Sequence, residues 1–211
     1  LHFDKNILTM AATDSYRLAE KKLELTSSVS EKIFIVPART MVETLRLAGT
    51  FENIENISIS SAENQISFVI GETQIVSRLI EGAFPNYVQI IPTQSKIKVE
   101  VGLSELINAV KMSALFAKNA ANNIKIKTSD KKLIISSASS EAGDSVSSID
   151  ADITGGEVEI AFNSKYILEV LQVFTSDKAI LLFNDESSAG VIKSSDDADF
   201  TYIAMPLRVD G

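Results

Sequence analysis

The stretch Glu31–Leu47, EKIFIVPARTMVETLRL, recurs in altered form at Glu157–Val173, EVEIAFNSKYILEVLQV. A shift of 126 positions carries the first copy onto the second and places Arg39 on Lys165. Each copy is a short apolar run, then a break, then apolar residues at the three- and four-residue spacing of a helix. A unit that occurs twice at a fixed offset indicates two domains of one architecture.

The apolar spacing predicts three helices and many strands. Pro37 suits a helix start and Gly49 a helix end. A turn is expected at 4–6, where the sequence reads DKN. The strands alternate apolar and polar residues, which is typical of antiparallel sheets, so the fold class is α+β. The predicted helices are Pro37–Ala48, Leu103–Asn119 and Ser164–Phe174. The predicted strands are Leu1–Phe3, Leu8–Ala12, Arg17–Leu25, Ile33–Val36, Ile54–Ser60, Gln65–Ile70, Thr73–Ile80, Lys96–Val101, Asn123–Thr128, Lys132–Ser137, Asp144–Ile153, Val158–Phe162, Ala179–Asn184, Gly190–Ser194 and Phe200–Pro206.

The repeat also predicts the domain boundary. The stretch Val88–Ser95, VQIIPTQS, is the expected connector, which gives a first domain of residues 1–92 and a second of residues 93–211. The second copy follows a strand and a long helix that have no counterpart before Leu1. We therefore expect the first domain to lack its opening strand and helix.

Composition narrows the class of protein. The 211 residues include 45% hydrophobic and 23% charged residues, which is ordinary for a globular protein. The net charge of −8 favours solubility and argues against tight phosphate binding, unless cations are concentrated on one surface. Cysteine is absent, which excludes disulfides and a cysteine nucleophile in these residues and is compatible with a reducing compartment.

The sequence indicates no active site. His2 is the single histidine, so catalysis or metal binding by several histidines is excluded for these residues. Asp196 and Asp197 suit a solvated turn, with an acid–base or Ca²⁺ site as the alternative. Asp14 suits an Asx-turn, with a chemical role as the alternative. We expect a non-catalytic protein without cofactor or metal.

Three motifs together indicate a family. They are ATDSYRLA at 12–19, EGAFPNY at 81–87 and YIAMPLR at 202–208. Their order and spacing, with the repeated domain, resemble the bacterial DNA polymerase sliding clamp, the beta subunit of the replicative DNA polymerase III. The resemblance implies most of a middle clamp domain and a whole C-terminal one, with antiparallel sheets outside and helices lining an inner wall. It also implies a cytoplasmic processivity factor for DNA replication.

The resemblance implies a pocket for partner peptides between the middle and last domains. The replicative polymerase and the clamp loader would insert short linear motifs there. The alternative interpretation of Leu18, Ile90 and Met205 is that they are ordinary core residues. Arg17 and Arg208 are expected to bind peptide carbonyls or a carboxylate. The implied pocket residues are Thr13, Tyr16, Arg17, Leu18, Pro85, Ile90, Ile203, Met205, Pro206, Leu207 and Arg208.

The resemblance further implies a ring-shaped homodimer of the full-length protein around double-stranded DNA, held without reading its sequence. No closed ring is expected from these residues alone. Leu115 and Phe116 are expected at the ring joint. The alternative interpretation of each cation on the helices is that it belongs to a solvated helix face. The implied DNA-facing residues are Arg39, Arg46, Lys111, Lys118 and Lys165.

Two positions depart from the family pattern. Gln89 stands where many relatives carry a basic residue, and Tyr16 stands where histidine is frequent. A charge contact at the first position is therefore doubtful, and the pocket wall at the second is bulkier. The alternative function is a non-catalytic β-rich bacterial surface or adhesion module, which would suit the serine-rich strands and the acidic composition.

Overall fold

The computed structural model describes residues 1–118, 121–139 and 143–207. They form two compact units. The first unit is Leu1–Ala12 with Lys22–Asn86, and the second is Thr13–Lys21 with Tyr87–Gly211. The boundary between the two units lies between Asn86 and Tyr87. The domain boundary after residue 92 that the sequence suggests remains a prediction.

Three helices form where the apolar spacing predicts them. They are α1 (Ala38–Ala48), α2 (Leu103–Ala117) and α3 (Ser164–Leu171). Gly49 caps the end of α1, as expected, and its amide donates to the Leu45 carbonyl oxygen. The Asn163 side chain caps the start of α3 by accepting a hydrogen bond from the amide of Lys165.

The strands agree with the predicted α+β class. The strands before α2 are β1 (His2–Thr13), β2 (Arg17–Ile33), β3 (Ser58–Ala62), β4 (Gln65–Ile70), β5 (Thr73–Arg78) and β6 (Ile97–Gly102). Those after α2 are β7 (Asn123–Ser129), β8 (Lys132–Ser139), β9 (Gly143–Thr154), β10 (Glu159–Asn163), β11 (Lys178–Phe183), β12 (Gly190–Ser194) and β13 (Phe200–Ala204). The pairings recorded between β2 and β13 and among β3–β13 are antiparallel. A 3₁₀ helix, Tyr87–Ile90, follows the change of units.

The second unit is a broad sheet covered by two helices. Its strand order is β2-β13-β12-β11-β6-β9-β8-β7-β10, where β2 contributes Arg17–Lys21. Helix α2 packs on β7, β8 and β9 and also against α3. Their buried apolar side chains form one core that includes Leu106, Val110, Ile167 and Leu171. Burial of this many aliphatic side chains is the main stabilising term of the unit.

The first unit has a smaller three-stranded sheet, β3-β4-β5, beside the hairpin of β1 and β2. Strand β4 is central, and Ile66, Phe68 and Ile70 are its fully buried side chains. These three apolar side chains alternate along the strand as the sequence predicts, but Ser67 between them is buried as well. In both units a helix precedes three consecutive strands, α1 before β3–β5 and α3 before β11–β13.

Two expectations for the N-terminal strands are wrong. The expected turn at 4–6 is absent, and β1 runs through these residues, with Lys5 at a positive φ of 53°. The expected buried strand Ile33–Val36 does not form, since β2 ends at Ile33, whose side chain is exposed.

Helix α1 differs from its repeat partner in what it buries. Leu45 is 75% exposed and Val42 is also exposed, whereas the matching Leu171 of α3 is completely buried. Helix α3 packs against α2, and the described part of the first unit contains no second helix. The apolar spacing therefore predicts the helix, and in the structure Val42 and Leu45 on it are exposed.

Among the described residues, no helix combines the length and the apolar character needed to cross a membrane.

Candidate functional site

The motif at 12–19 forms a tight turn held by its own side chains. The Asp14 carboxylate accepts hydrogen bonds from the amides of Tyr16 and Arg17, each at 3.1 Å. The Thr13 hydroxyl donates to the Arg17 carbonyl oxygen at 2.8 Å. Ser15 takes a positive φ of 76° at the tip. This arrangement is the Asx-turn expected for Asp14, and it presents the next side chain to solvent.

The turn leads directly into the pairing of β2 with β13, which joins the first motif to the last. Leu18 lies opposite Ile203 in this pairing, and Arg17 lies opposite Ala204. Leu18 and Ile203 are each 1% exposed and pack with Val191 in a small apolar cluster. They therefore form a floor beneath the surface rather than the surface itself.

Above this floor lie exposed apolar side chains from both motifs. Tyr16 is 63% exposed and Met205 is 42% exposed. The Met205 amide donates to the Tyr16 carbonyl oxygen at 2.8 Å, which fixes the two residues beside one another. Pro206 and Leu207 follow and are half-buried, and the Leu207 amide donates to the Ala161 carbonyl oxygen at 2.8 Å. We call Tyr16, Met205, Pro206 and Leu207 the tail surface.

An ionic and aromatic cluster borders this surface. The Arg17 guanidinium lies over the Tyr166 ring, with its carbon 4.4 Å from the ring centroid. It donates to Asp14 at 2.8 Å through Nε and to Glu169 of α3 through an Nη. The Tyr202 hydroxyl donates to the Tyr166 carbonyl oxygen at 3.0 Å, which ties α3 to β13. Because the guanidinium is stacked on a ring and paired with two carboxylates, Arg17 forms a rigid side wall of the site.

The pKa values reflect these contacts. Burial opposes the charge of Arg17, but hydrogen bonds to Glu169, Tyr202 and Asp14 outweigh it and raise the pKa of the guanidinium. Burial opposes ionisation of Asp14 too, yet the hydrogen bond from Arg17 and the two backbone amides lower the pKa of its carboxyl. Both groups are therefore charged at neutral pH.

The 3₁₀ helix contributes a further edge. Tyr87 and Ile91 pack against the Leu18 cluster, while Ile90 is exposed. The Tyr87 hydroxyl donates to Glu20 at 2.6 Å, and burial together with this carboxylate raises the pKa of Tyr87. The predicted pocket residue Ile90 thus projects from a segment that is anchored to the floor.

Two predicted pocket residues lie outside the described part of the second unit. Pro85 lies in the first unit and is exposed. Arg208 lies outside the described residues. The other nine lie in the second unit, and the β2–β13 pairing joins the motif at 12–19 to the motif at 202–208.

The predicted DNA-facing cations are all exposed. Arg39 and Arg46 lie on α1, and Arg46 pairs with Glu43 at 2.8 Å. The other three lie on α2, its C-terminal cap and α3, namely Lys111, Lys118 and Lys165. The predicted joint residues differ: Leu115 is exposed and Phe116 is half-buried.

Sequence reasoning missed Tyr166 and Glu169 as members of the site. Glu169 touches a residue 152 positions away, which no local pattern reveals. The repeat aligns Glu169 with Glu43, but it aligns Arg46, the partner of Glu43, with Gln172. The repeat therefore gives no sign of an arginine partner for Glu169. Across residues 1–118, 121–139 and 143–207, histidine and carboxylate side chains form no group of three or more placed to hold a metal ion.

Known structures with this fold are close in shape. The chain is similar to the DNA polymerase sliding clamp of Bacillus subtilis, with a TM-score of 0.92, 28% identity and coverage of 99% of this chain and 55% of that one. It is similar to the DNA polymerase III subunit beta of Pseudomonas aeruginosa, with a TM-score of 0.92, 27% identity and coverage of 99% and 57%.

Sequence comparison gives the same result. A Staphylococcus aureus protein named beta sliding clamp is 36% identical over 170 residues, which cover 80% of this chain and 45% of that protein. The chain thus spans about half the length of the curated relatives it matches. The model of the DNA polymerase III beta subunit central domain matches residues 1–86, and that of its C-terminal domain matches residues 88–208. With nearly every residue matched in the expected domain order, the chain belongs to the DNA polymerase III beta subunit family.

Proposed function

We propose that this chain is the partner-docking part of a DNA sliding clamp, a processivity factor that tethers a replicative polymerase to duplex DNA. The observation that carries the proposal is the tail surface. Tyr16 and Met205 come from motifs almost 190 residues apart, yet one backbone hydrogen bond holds them side by side and exposed. Exposed apolar side chains on a rigid base suit a short apolar peptide.

The chemistry of the surface supports adaptable binding. Met205 is flexible and polarisable, so it can follow peptides of different shape. The floor of Leu18 and Ile203 is packed and buried, which keeps the paired strands fixed when a peptide arrives. Tyr16 offers a ring and a hydroxyl to the same ligand. The surface offers binding and orientation, so we propose a non-catalytic role, in the cytoplasm.

We propose that the contact with DNA is weak. The helix cations expected to face DNA are few, and the whole chain has a net charge of −8. Each phosphate contact adds affinity and slows sliding, so a tether that moves along DNA needs few of them. Retention would come from a ring of the full-length protein, with Leu115 and Phe116 at its joint. The ring is proposed for a protein of the relatives' full length.

The comparisons bear on two points, ligand binding and the alternative role. A Pseudomonas aeruginosa clamp with 26% identity and a TM-score of 0.92 has been solved bound to griselimycin, so that relative binds an added ligand. The alternative role as a surface or adhesion module is not favoured, because both domain models of the polymerase subunit match. We therefore propose the replicative polymerase and the clamp loader as partners, bound through short linear motifs.

A capture experiment tests the proposal. The 211-residue chain is immobilised, and the catalytic subunit of a bacterial replicative polymerase is passed over it. We expect retention that is lost when a free peptide carrying a glutamine and a pair of apolar residues is added in excess. Met205→Ala should weaken retention, and Met112→Ala, which removes a methionine from α2 that is 52% exposed against 42% for Met205, should not. Retention that the peptide cannot displace would contradict docking at the tail surface.

A further inference from the structure

Glu20 is a buried carboxylate beside the floor of the tail surface. It is 8% exposed and lies on β2 two residues after Leu18. Side chains two residues apart on a strand lie on the same face, so Glu20 shares the face of β2 that carries the floor. A carboxylate is costly to bury unless a donor contacts it, so the donor that Glu20 uses is informative.

Tyr87 supplies such a donor. Its hydroxyl donates to a Glu20 carboxylate oxygen at 2.6 Å, a distance typical of a hydroxyl bound to a carboxylate. Its ring packs against the apolar cluster of Leu18, Val191 and Ile203. Tyr87 is therefore held at two places, by its ring in the cluster and by its hydroxyl on Glu20.

Tyr87 is also the first residue of the 3₁₀ helix, Tyr87–Ile90. A single bond of this helical type extends beyond it, from the Ile91 amide to the Val88 carbonyl oxygen at 3.3 Å. Short 3₁₀ helices have poor hydrogen-bond geometry, so tertiary contacts decide where such a segment lies. Here the contacts are made by Tyr87 and Ile91, and Ile90 between them is 50% exposed.

The 3₁₀ helix and the tail surface share one floor. Leu18 follows Tyr16 by two residues on one side of the β2–β13 pairing, and Ile203 precedes Met205 by two on the other. The cluster that holds the Tyr87 ring is thus the cluster from which the exposed side chains of both motifs emerge. A shift of Tyr87 on this cluster moves Ile90 relative to Tyr16 and Met205.

We propose that Glu20 is a positioning residue of the docking surface: by accepting the Tyr87 hydroxyl it fixes the 3₁₀ helix, and the fixed helix presents Ile90 to the peptide that docks on the tail surface. Glu20 acts through Tyr87 and does not contact the peptide itself. The inference rests on the proposed function, since it needs a peptide on the tail surface.

The first measurement tests the anchor without any ligand. Tyr87→Phe removes only the hydroxyl and leaves the ring in the cluster. Amide hydrogen exchange followed by NMR should then become about tenfold faster at Ile91, because loss of a hydrogen bond to a carboxylate loosens the helix. The Met205 amide, which donates to the Tyr16 carbonyl oxygen, should exchange at the parent rate.

The second measurement tests the link to docking. The parent chain and Tyr87→Phe are titrated with a peptide carrying a glutamine and a pair of apolar residues. Tyr87→Phe should weaken binding about three- to tenfold, since the peptide must then order the helix itself. Ile90→Ala should also weaken binding. In the Ile90→Ala background Tyr87→Phe should add little, because two changes that act through one contact are not additive.

Three glutamate variants serve as controls. Glu20→Gln keeps an oxygen that accepts the Tyr87 hydroxyl and should bind the peptide within about twofold of the parent. Glu20→Ala removes that acceptor and should match Tyr87→Phe. Glu24→Ala removes the same charge from an exposed position of β2 and should match the parent. A thermal melt of each variant checks the fold, and Tyr87→Phe still decides the matter if Glu20→Ala unfolds.

An unchanged exchange rate at Ile91 in Tyr87→Phe would overturn the inference, as would parent affinity in that variant. Both results would leave peptide docking intact. Full weakening by Tyr87→Phe in the Ile90→Ala background would also overturn it, because the effect would then not pass through Ile90. Failure of the peptide to bind the parent chain would refute the proposed function, and with it the inference.

Discussion

The residues of the turn 13–17 combine rigidity with exposure. Asp14 gathers two backbone amides and the Arg17 side chain, and Ser15 accepts a positive φ at the tip. The backbone is thus fixed by local contacts, and Tyr16 projects from it. Sequence reasoning identified the turn correctly because an Asx-turn is a local feature. It could not find the contact of Arg17 with Glu169, which depends on the tertiary fold.

The ion pair of Asp14 with Arg17 predicts an acid-sensitive turn. The folded-state pKa of Asp14 is lowered, so its contribution is present above the unfolded value of 3.8 and is lost as pH falls through the folded pKa. In an NMR titration, the Tyr16 and Arg17 amides should shift with a midpoint below the unfolded value of 3.8. Asp14→Asn should abolish that step. A step near the ordinary pKa of a free aspartate in the parent chain would contradict the ion pair.

Leu18 and Met205 should behave differently on truncation. Leu18→Ala removes a buried side chain from the floor and should lower the free energy of unfolding by about 2–5 kcal/mol. Met205→Ala removes an exposed one and should change it by less than about 1 kcal/mol. Urea denaturation of both variants measures the difference.

Equal losses for the two variants would contradict the division into floor and surface. Sequence reasoning had left open whether these residues belong to the core or to a pocket. The structure gives a separate answer for each: Leu18 is core, and Met205 is exposed. An aspartate at Leu18 is therefore expected to unfold the unit, since it would place an unpaired charge in a buried cluster.

At the level of elements, the sequence predicts what periodicity can report. Helices α1, α2 and α3 and the buried strands β4, β11 and β12 are found within a few residues of their expected places. Strand β2 was expected to be much shorter, because its second half is polar and exposed and shows no alternation. Spacing also reveals the apolar face of α1 but not what covers it, and in the structure Val42 and Leu45 are exposed.

Gly155 at the end of β9 is the most constrained glycine of the second unit. Its φ is +103°, and an added Cβ would lie 2.2 Å from the carbonyl oxygen of Lys96, just before β6. Gly155→Ala must therefore displace the start of β6 and should cost about 2–4 kcal/mol of stability. The neighbouring Gly156 has open space around its Cβ position, so Gly156→Ala should cost less than about 1 kcal/mol.

Thermal melts followed by circular dichroism compare these two glycine variants directly. Similar melting temperatures for both would show that the β9–β6 junction tolerates a methyl group. That result would contradict the close approach of Gly155 to Lys96.

For the whole molecule, charge and surface chemistry suggest different tasks for the helix cations and for the tail surface. Acidic residues outnumber basic ones by 28 to 20, and the helix cations proposed to face DNA are all exposed. The tail surface is apolar and lies on the second unit. The family and the α+β class could be predicted from motifs and a repeat. The division of the site into floor, surface and wall could not, because it depends on burial and on contacts between distant residues.

Docking of a peptide on Tyr16 and Met205 can be measured by calorimetric titration. The 211-residue chain, Met205→Ala and Met112→Ala are each titrated with a peptide carrying a glutamine and a pair of apolar residues. We predict a dissociation constant on the order of micromolar for the parent chain. Met205→Ala should weaken binding about tenfold through lost apolar contact, and Met112→Ala should match the parent. If the parent chain does not bind the peptide, or if the two variants bind it with equal affinity, peptide docking on Tyr16 and Met205 is contradicted.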